Sequence, residues 1–131
     1  MRSIKFRGKA RRDGKWFYGN LYVKDIYGRT HICTTKCGCF DIDPETVGQF
    51  TSLYDCDGKE IYEGDIIGCH NPRIKHLIFY NEKQGRFMAA LNGDIENNFG
   101  VCGLDDSRWT GSKTVIGNVY DNPELLKEES Y

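Results

Sequence analysis

Apolar and polar residues alternate with a period of two in several short stretches of this chain. Ile4 and Phe6 alternate with Lys5 and Arg7, and residues 15–23 are rich in aromatic and β-branched side chains. Both features are typical of β-strands, in which successive side chains point to opposite faces of a sheet. Runs of the same kind predict further strands near residues 30–33, 40–43, 53–54, 60–62, 66–69, 75–80, 86–91 and 114–120.

Residues that favour tight turns separate these strands. Asp57-Gly58 is typical of a two-residue hairpin turn. Asp43 before Pro44 is typical of a helix start, but Gly48 follows so closely that we expect only one helical turn there. A pattern of many short strands with frequent turns predicts an all-β barrel or sandwich, with at most short helical turns.

Composition limits the class of protein. The chain has 131 residues and 15.1 kDa, the size of one ordinary domain, and its 39% hydrophobic and 13% aromatic residues suffice for a modest core. We expect a single β domain over residues 1–131, in which a basic N-terminal region 1–42 precedes a core 43–125. The sequence has no apolar run of about eighteen residues, and its charged N-terminus has no apolar signal segment. We therefore expect a cytoplasmic protein.

Charge is unevenly distributed along the chain. Residues 1–20 hold seven basic side chains against Asp13 alone, a net charge of +6, while the remaining residues carry −7. Aromatic residues lie among these cations, and such a mixture is suited to binding phosphates and stacking on unpaired bases. The predicted nucleic-acid contacts are Arg7, Lys9, Arg11, Arg12, Lys15 and Trp16. The alternatives are a solvated hairpin face with its rings in the core, or a hairpin that pairs with the acidic remainder of the same or a neighbouring chain.

Six cysteines raise the question of their redox state. Because no secretory signal is visible, we expect reduced thiols, as in cytosolic proteins. Cys33, Cys37 and Cys39 form one cluster that could bind zinc, although the usual second pair of cysteines is missing. The fourth ligand of such a tetrahedral site would be one of His31, Cys56 and His70. Alternatively, these cysteines serve as small apolar residues. We expect the protein to have no cofactor.

The sequence contains no enzyme motif. Acidic residues cluster between Asp55 and Asp65, but their spacing does not match a calcium-binding loop and is explained by turns. Phosphate-binding glycine loops, nucleophile elbows and zinc-protease helices are also missing from the sequence. We therefore expect no catalytic residues and no enzymatic activity.

Three blocks of sequence are more specific than these general patterns. They are the opening residues 4–9 and 14–19, the central residues 43–51 and 55–67, and the closing residues 115–125. In this order they closely resemble the YopX-like family of phage and prophage proteins. The motif residues are Asp43, Pro44, Glu45, Thr46, Gly48, Gln49, Thr51, Gly58, Glu63, Gly64, Asp65, Gly117, Asn118 and Pro123.

The resemblance implies an all-β protein of a phage or an integrated element, located in the cytoplasm of the bacterial host. The family has no established biochemical activity, so the resemblance supplies no catalytic or binding residue. Cys37, Cys39 and Cys56 stand where polar residues are more usual in the family. This departure counts against zinc binding as a property of the family.

The motif residues also have a physical interpretation. Three glycines are expected where backbone geometry or close packing excludes a side chain: Gly48, Gly64 and Gly117. Three polar residues are expected to hydrogen-bond backbone groups at strand ends: Gln49, Thr51 and Asp65. A shared ligand pocket is the alternative role for these positions.

These observations lead to three functional hypotheses. The first is a non-enzymatic accessory protein that binds a phage protein, a host protein or a second copy of itself, since open strand edges are natural pairing surfaces. The second is a small β domain that binds nucleic acid through its basic N-terminal hairpin. The third is a zinc-stabilised module. We expect no membrane partner.

Overall fold

The computed structural model describes residues 4–34, 38–68, 74–95, 101–103 and 113–127. These residues form twelve strands: β1 Phe6–Lys9, β2 Trp16–Gly19, β3 Leu21–Lys24, β4 Thr30–Thr34, β5 Gly38–Ile42, β6 Gly48–Tyr54, β7 Glu60–Tyr62, β8 Asp65–Gly68, β9 Lys75–Asn81, β10 Arg86–Leu91, β11 Val101–Gly103 and β12 Thr114–Asn118. Strands make up 55% of the structure and form three antiparallel sheets, which confirms the all-β prediction. The described strands form no closed barrel.

Helical structure in the described residues is limited to two short 3-10 turns, Pro44–Thr46 and Pro123–Leu126. The first lies where the sequence predicts a single helical turn, and the Asp43 side chain caps it by accepting a hydrogen bond from the backbone N–H of Glu45. No helix in the described part of the chain is long and apolar enough to cross a membrane.

The chain divides into two compact units, residues 1–52 and 53–131, and the division falls within β6. β6 belongs to a four-stranded sheet with the order β2-β1-β6-β7. The three-stranded sheet β3-β4-β5 lies in the first unit, and the five-stranded sheet β11-β10-β9-β8-β12 lies in the second.

In the first unit the β1–β2 hairpin packs against the sheet β3-β4-β5. The Phe17 ring of β2 stacks on Phe40 of β5 with centroids 4.0 Å apart, and Phe6 of β1 contacts Tyr22 of β3 at 5.8 Å. Ile32 is fully buried in the same layer. The hairpin and the sheet thus enclose a small aromatic and aliphatic core within the first unit.

Residues 15–23, predicted as one strand, form two strands that belong to different sheets. β2 ends at Gly19 and β3 begins at Leu21. A β-carbon at Gly19 would collide with the backbone carbonyl oxygen of Cys33 on β4. Gly19 therefore allows the chain to come close to β4 as it passes from one sheet to the other, which alternation alone did not reveal.

The second unit has its own hydrophobic core. Ile61, Ile67, Ile78 and Ala89 form a buried cluster contributed by strands β7 to β10. Further partly buried side chains pack against this cluster from β6, β10 and β12: Leu53, Phe87 and Val115. Burial of such aliphatic and aromatic surface is the main stabilising contribution to a domain of this kind.

Candidate nucleic-acid interface

The β1–β2 hairpin ends in an exposed basic loop, residues 11–15, which we call the basic tip. The backbone N–H of Ala10 donates to the carbonyl of Lys15 at 2.9 Å, and the N–H of Gly14 donates to the carbonyl of Ala10 at 2.9 Å. Gly14 has a φ of 72°, a left-handed conformation that favours glycine. Arg11, Arg12 and Lys15 are all exposed on this ordered turn.

Two carboxylates lie near the basic tip. Asp13 accepts a hydrogen bond from the backbone N–H of Lys15 at 3.0 Å, so it stabilises the turn. Asp41 of β5 lies 3.5 Å from Nε of Arg11, and both side chains are exposed. An ion pair in water contributes little to stability, so Arg11 can exchange this partner for a phosphate at small cost.

The strand register places the other predicted contacts on one face of the hairpin. Arg7 lies opposite Tyr18, and Lys9 lies opposite Trp16. The Arg7 guanidinium is 4.7 Å from the centroid of the Trp16 ring, and Nζ of Lys9 is 5.8 Å from it. Both cations are therefore engaged in cation–π contacts with the same indole.

Burial separates the six predicted residues into two groups. Arg7 is only 6% exposed, so its charge lies in the interior against Trp16 and is not presented to an external phosphate. Lys9 and Trp16 are partly buried. The exposed cations of the hairpin are those of the basic tip: Arg11, Arg12 and Lys15.

Tyr18 is an exposed aromatic residue of the hairpin that the predicted contacts did not include. It is 47% exposed, on the same face as Arg7 and Trp16. The signal for this placement was present in the sequence, because residues two apart on a strand share a face and Tyr18 follows Trp16 by two.

A second exposed turn, between β3 and β4, presents two apolar side chains. Ile26 is 91% exposed and Tyr27 is 77% exposed, and we call this pair the apolar tip. The carboxylate of Asp25 accepts hydrogen bonds of 2.9 Å from the backbone N–H groups of Tyr27 and Arg29. The turn is thus held in one conformation by a side chain, although its two apolar residues point into solvent.

His31 completes this arrangement. Its Nε2 lies 2.9 Å from the Asp25 carboxylate, and this hydrogen bond is the largest of the interactions that lower the pKa of Asp25. Backbone hydrogen bonds from Arg29 and Tyr27 lower the pKa further, against a smaller opposing effect of burial. One of the candidate zinc ligands, His31, therefore contributes to the structure of the β3–β4 turn.

Two of the cysteines differ from the expectation of reduced thiols, whereas Cys56 is a free thiol. Cys33 of β4 and Cys39 of β5 are direct cross-strand partners, with Cα atoms 4.0 Å apart, and their sulfur atoms are joined in a disulfide. Directly opposite positions on antiparallel strands bring the β-carbons close enough for such a bond. Two of the three candidate zinc ligands are thus bonded to each other, while Cys37 lies outside the described residues.

Three residues remain as candidates for the fourth zinc ligand, and of these His31 contacts Asp25. Cys56 is exposed in the turn after β6, and His70 lies outside the described residues. The described ranges contain no group of three or more His, Cys, Asp or Glu side chains placed to hold a metal ion.

Residues of the central motif form and stabilise the 3-10 turn Pro44–Thr46. The hydroxyl of Thr46 donates to the Asp43 carbonyl at 2.7 Å and accepts from the backbone N–H of Lys9 at 2.9 Å. Glu45 donates its backbone N–H to the Asp43 side chain. These contacts attach the turn to β1.

The next motif residues connect β7 to β8 through a turn at Glu63-Gly64. Asp65 is 1% exposed and accepts a 2.7 Å hydrogen bond from the backbone N–H of Tyr62, which is the strand-end role expected for it. Gly64 has a φ of 92°, in agreement with the prediction of special backbone geometry. Gly58, with a φ of 82°, forms the preceding turn.

The motif residues Gly48, Gln49 and Thr51 lie on β6. Gly48 pairs with Arg7 and Gln49 with Phe6 in the β1–β6 register, while Thr51 is buried. These positions place the central motif directly beside the basic hairpin.

The closing motif forms a turn after β12. The Asn118 side-chain oxygen accepts hydrogen bonds from the backbone N–H groups of Tyr120 and Asp121, at 3.0 and 2.9 Å. A β-carbon at Gly117 would approach the Asn122 amide too closely, which agrees with the packing role predicted for this glycine. Pro123 then begins the second 3-10 turn.

The structure resembles a solved protein over its whole length. Protein EF1440 from Enterococcus faecalis matches with a TM-score of 0.60 and 25% sequence identity, over 97% of this chain and 100% of that chain. No curated protein sequence matches significantly. The model of the YopX protein family matches residues 5–127, nearly the full chain. Together with the motif residues described above, this match shows that the chain belongs to the YopX family.

Proposed function

We propose that this YopX-family protein is a non-enzymatic binding module of a phage or prophage, acting in the bacterial cytoplasm, and that it binds nucleic acid through the basic tip. The observation that carries the proposal is the exposed, ordered set of Arg11, Arg12 and Lys15 on one hairpin turn. Cations displayed in this way neutralise phosphates and release their counterions, which is the main source of affinity for nucleic acid.

The charge of the surrounding unit supports this proposal. Residues 1–52 contain ten basic and five acidic side chains, a net charge of +5, whereas residues 53–131 contain eight and fourteen, a net charge of −6. The sequence pI of about 6.3 therefore averages over two units of opposite charge. The first unit alone has the basic character expected of a nucleic-acid-binding surface.

The non-enzymatic part of the proposal is supported by how the carboxylates of the motif region are used. Asp43, Asp55 and Asp65 each accept hydrogen bonds from backbone N–H groups of nearby turns. A carboxylate engaged in this way holds the backbone in place. These carboxylates of the motif region thus stabilise the fold. The binding function is therefore assigned to exposed surfaces such as the basic tip.

The test is a titration of labelled DNA and RNA with the purified protein at salt concentrations from about 50 to 200 mM. We expect micromolar binding that weakens steeply with salt. The double variant Arg12→Gln/Lys15→Gln should bind several-fold more weakly, and the slope of log Kd against log salt should fall by about 1.4 to 1.8, since two phosphate contacts are lost.

The second unit offers a matched control. Lys83→Gln/Lys127→Gln removes the same amount of charge from two exposed residues outside the first unit. We expect this variant to keep the affinity and the salt slope of the unaltered protein. Equal losses in the two double variants would show that net charge governs binding, and the proposed role of the basic tip would be wrong.

Self-association is a second candidate function, favoured by the apolar tip. Ile26 and Tyr27 together expose apolar surface at a position where the turn is held rigidly by Asp25. Such surface is a natural contact for another copy of the chain. Light scattering at tens of micromolar should then give a mass above 15.1 kDa that falls to it in Ile26→Ser/Tyr27→Ser. A monomer in both proteins would exclude this function.

A further inference from the structure

Trp16 and Tyr18 lie on the same face of the β1–β2 hairpin, but their rings have different surroundings. Trp16 lies within cation–π distance of both Arg7 and Lys9, so its ring is already engaged by cations of the same chain. Tyr18, opposite Arg7 in the register, exposes nearly half of its surface. Tyr18 is thus the more accessible ring on this face.

We propose that Tyr18 is a stacking platform for an unpaired base, so that the nucleic acid bound by the basic tip is single-stranded. This inference rests on the function proposed above. In a duplex each base is covered on both sides by its neighbours, whereas the bases of a single strand can leave the stack and lie on an aromatic side chain. A sheet face that combines such a ring with nearby cations is the arrangement that single strands require.

The cations around Tyr18 determine how a strand would lie. The basic tip supplies exposed charge for phosphates at the end of the hairpin, and Lys9 lies between the tip and Tyr18 along β1. Arg7, buried beside Trp16, supplies a fixed positive charge under this face without itself reaching solvent. A strand held by its phosphates at the tip would therefore bring a neighbouring base to Tyr18.

The experiment compares a single-stranded DNA of about 20 nucleotides with the duplex of the same sequence, because binding sites for single strands fall within this length. The unaltered protein should bind the single strand at least about 10-fold more tightly than the duplex. Tyr18→Leu should weaken single-strand binding by about 5- to 150-fold, the range that one stacked base contributes, and should change duplex binding less than about 2-fold.

Two controls separate stacking from folding and from charge. Tyr18→Phe keeps the ring and should bind the single strand as the unaltered protein does. Tyr18→Phe and Tyr18→Leu should both have the melting temperature of the unaltered protein. The salt slope of Tyr18→Leu should equal that of the unaltered protein, because no phosphate contact is removed.

The outcomes distinguish the two proposals. Equal affinity for both forms of DNA, with no effect of Tyr18→Leu, would overturn the stacking role while leaving the basic tip as a duplex-tolerant binding site. Absence of binding to either form at low salt would overturn the proposed function itself. If Tyr18→Phe lost affinity as fully as Tyr18→Leu, the phenolic hydroxyl and not the ring would be responsible, and the stacking role would again be wrong.

Discussion

Asp55 links three backbone positions of the second unit through one buried carboxylate. One oxygen accepts the N–H groups of Asp57 and Lys59, and the other accepts the N–H of Val115 on β12, each at 2.9 Å. Burial by itself would raise the pKa of Asp55, but these three hydrogen bonds outweigh it and hold the pKa below its ordinary value of 3.8. The charged form is thus the one that the fold requires.

Asp55→Asn should lower the free energy of unfolding at neutral pH by about 1 to 3 kcal/mol, because an amide offers only one acceptor oxygen to these donors. The difference from the unaltered protein should shrink as pH falls through and below 3.8, where the unfolded carboxylate takes up its proton first. Urea unfolding at several pH values measures both effects. Asp57→Asn, at an exposed position in the same turn, is the control and should change stability little.

His76 has the opposite charge preference. Burial, with a smaller contribution from the Lys113 charge, lowers the pKa of His76 below 6.5. The unfolded chain therefore binds a proton at a higher pH than the folded one, so stability should be greatest above pH 6.5 and should decrease as pH falls below it. NMR titration of the imidazole should give a midpoint below 6.5, and His76→Gln should weaken this pH dependence. A midpoint at or above 6.5 would contradict the burial argument.

At the scale of elements, the passage from β2 to β3 depends on Gly19. Because the obstacle to a side chain is the backbone carbonyl of Cys33, it cannot be relieved by a rotamer change. Gly19→Ala should destabilise the protein by about 1 to 3 kcal/mol. Gly68→Ala is the matched control, since its β-carbon would meet only the Ile116 side chain, at 3.2 Å, which can move. Equal melting temperatures for the two variants would show that β2 and β4 are not held this closely.

The hairpin β4–β5 provides a direct test of the redox state. Cys33 and Cys39 are separated by six positions, and closing so short a loop is worth about 2 kcal/mol in the chain-entropy model. Without reductant, an alkylating reagent under denaturing conditions, followed by peptide mapping, should label Cys56 but neither Cys33 nor Cys39, since those two are bonded to each other. Cys39→Ser should lose about this amount of stability and its unfolding should no longer respond to reductant. Labelling of Cys33 and Cys39 would instead support the reduced state expected from composition.

Alternation and turn residues predicted most of the strands, but they missed β11 and most of β6 and did not show how the elements meet. The opposite polarity of Phe6 and Arg7 indicated β1, and the capping side chain of Asp43 indicated the 3-10 turn. The disulfide could not be foreseen, because it depends on the β4–β5 register that places Cys33 opposite Cys39. The burial of Arg7 was likewise hidden, since a basic residue at a polar position of a strand is expected to face solvent.

At the scale of the whole molecule, the basic tip and the apolar tip of the first unit should respond differently to salt. Raising salt from about 50 to 200 mM should weaken nucleic-acid binding about 20- to 40-fold for three phosphate contacts at the basic tip, because counterion release contributes less at high salt. Contacts formed by burial of apolar surface are not screened in this way. Self-association through Ile26 and Tyr27 should therefore persist over the same range.

Light scattering of the free protein and of its mixture with an oligonucleotide, across one salt series, measures both responses. We expect the complex to dissociate as salt rises while the mass of the free protein stays constant. If the mass of the free protein instead falls toward 15.1 kDa with salt, its self-association is electrostatic. The contact would then join the unit of charge +5 in one copy to the unit of charge −6 in another, and nucleic acid would compete with it for the basic tip.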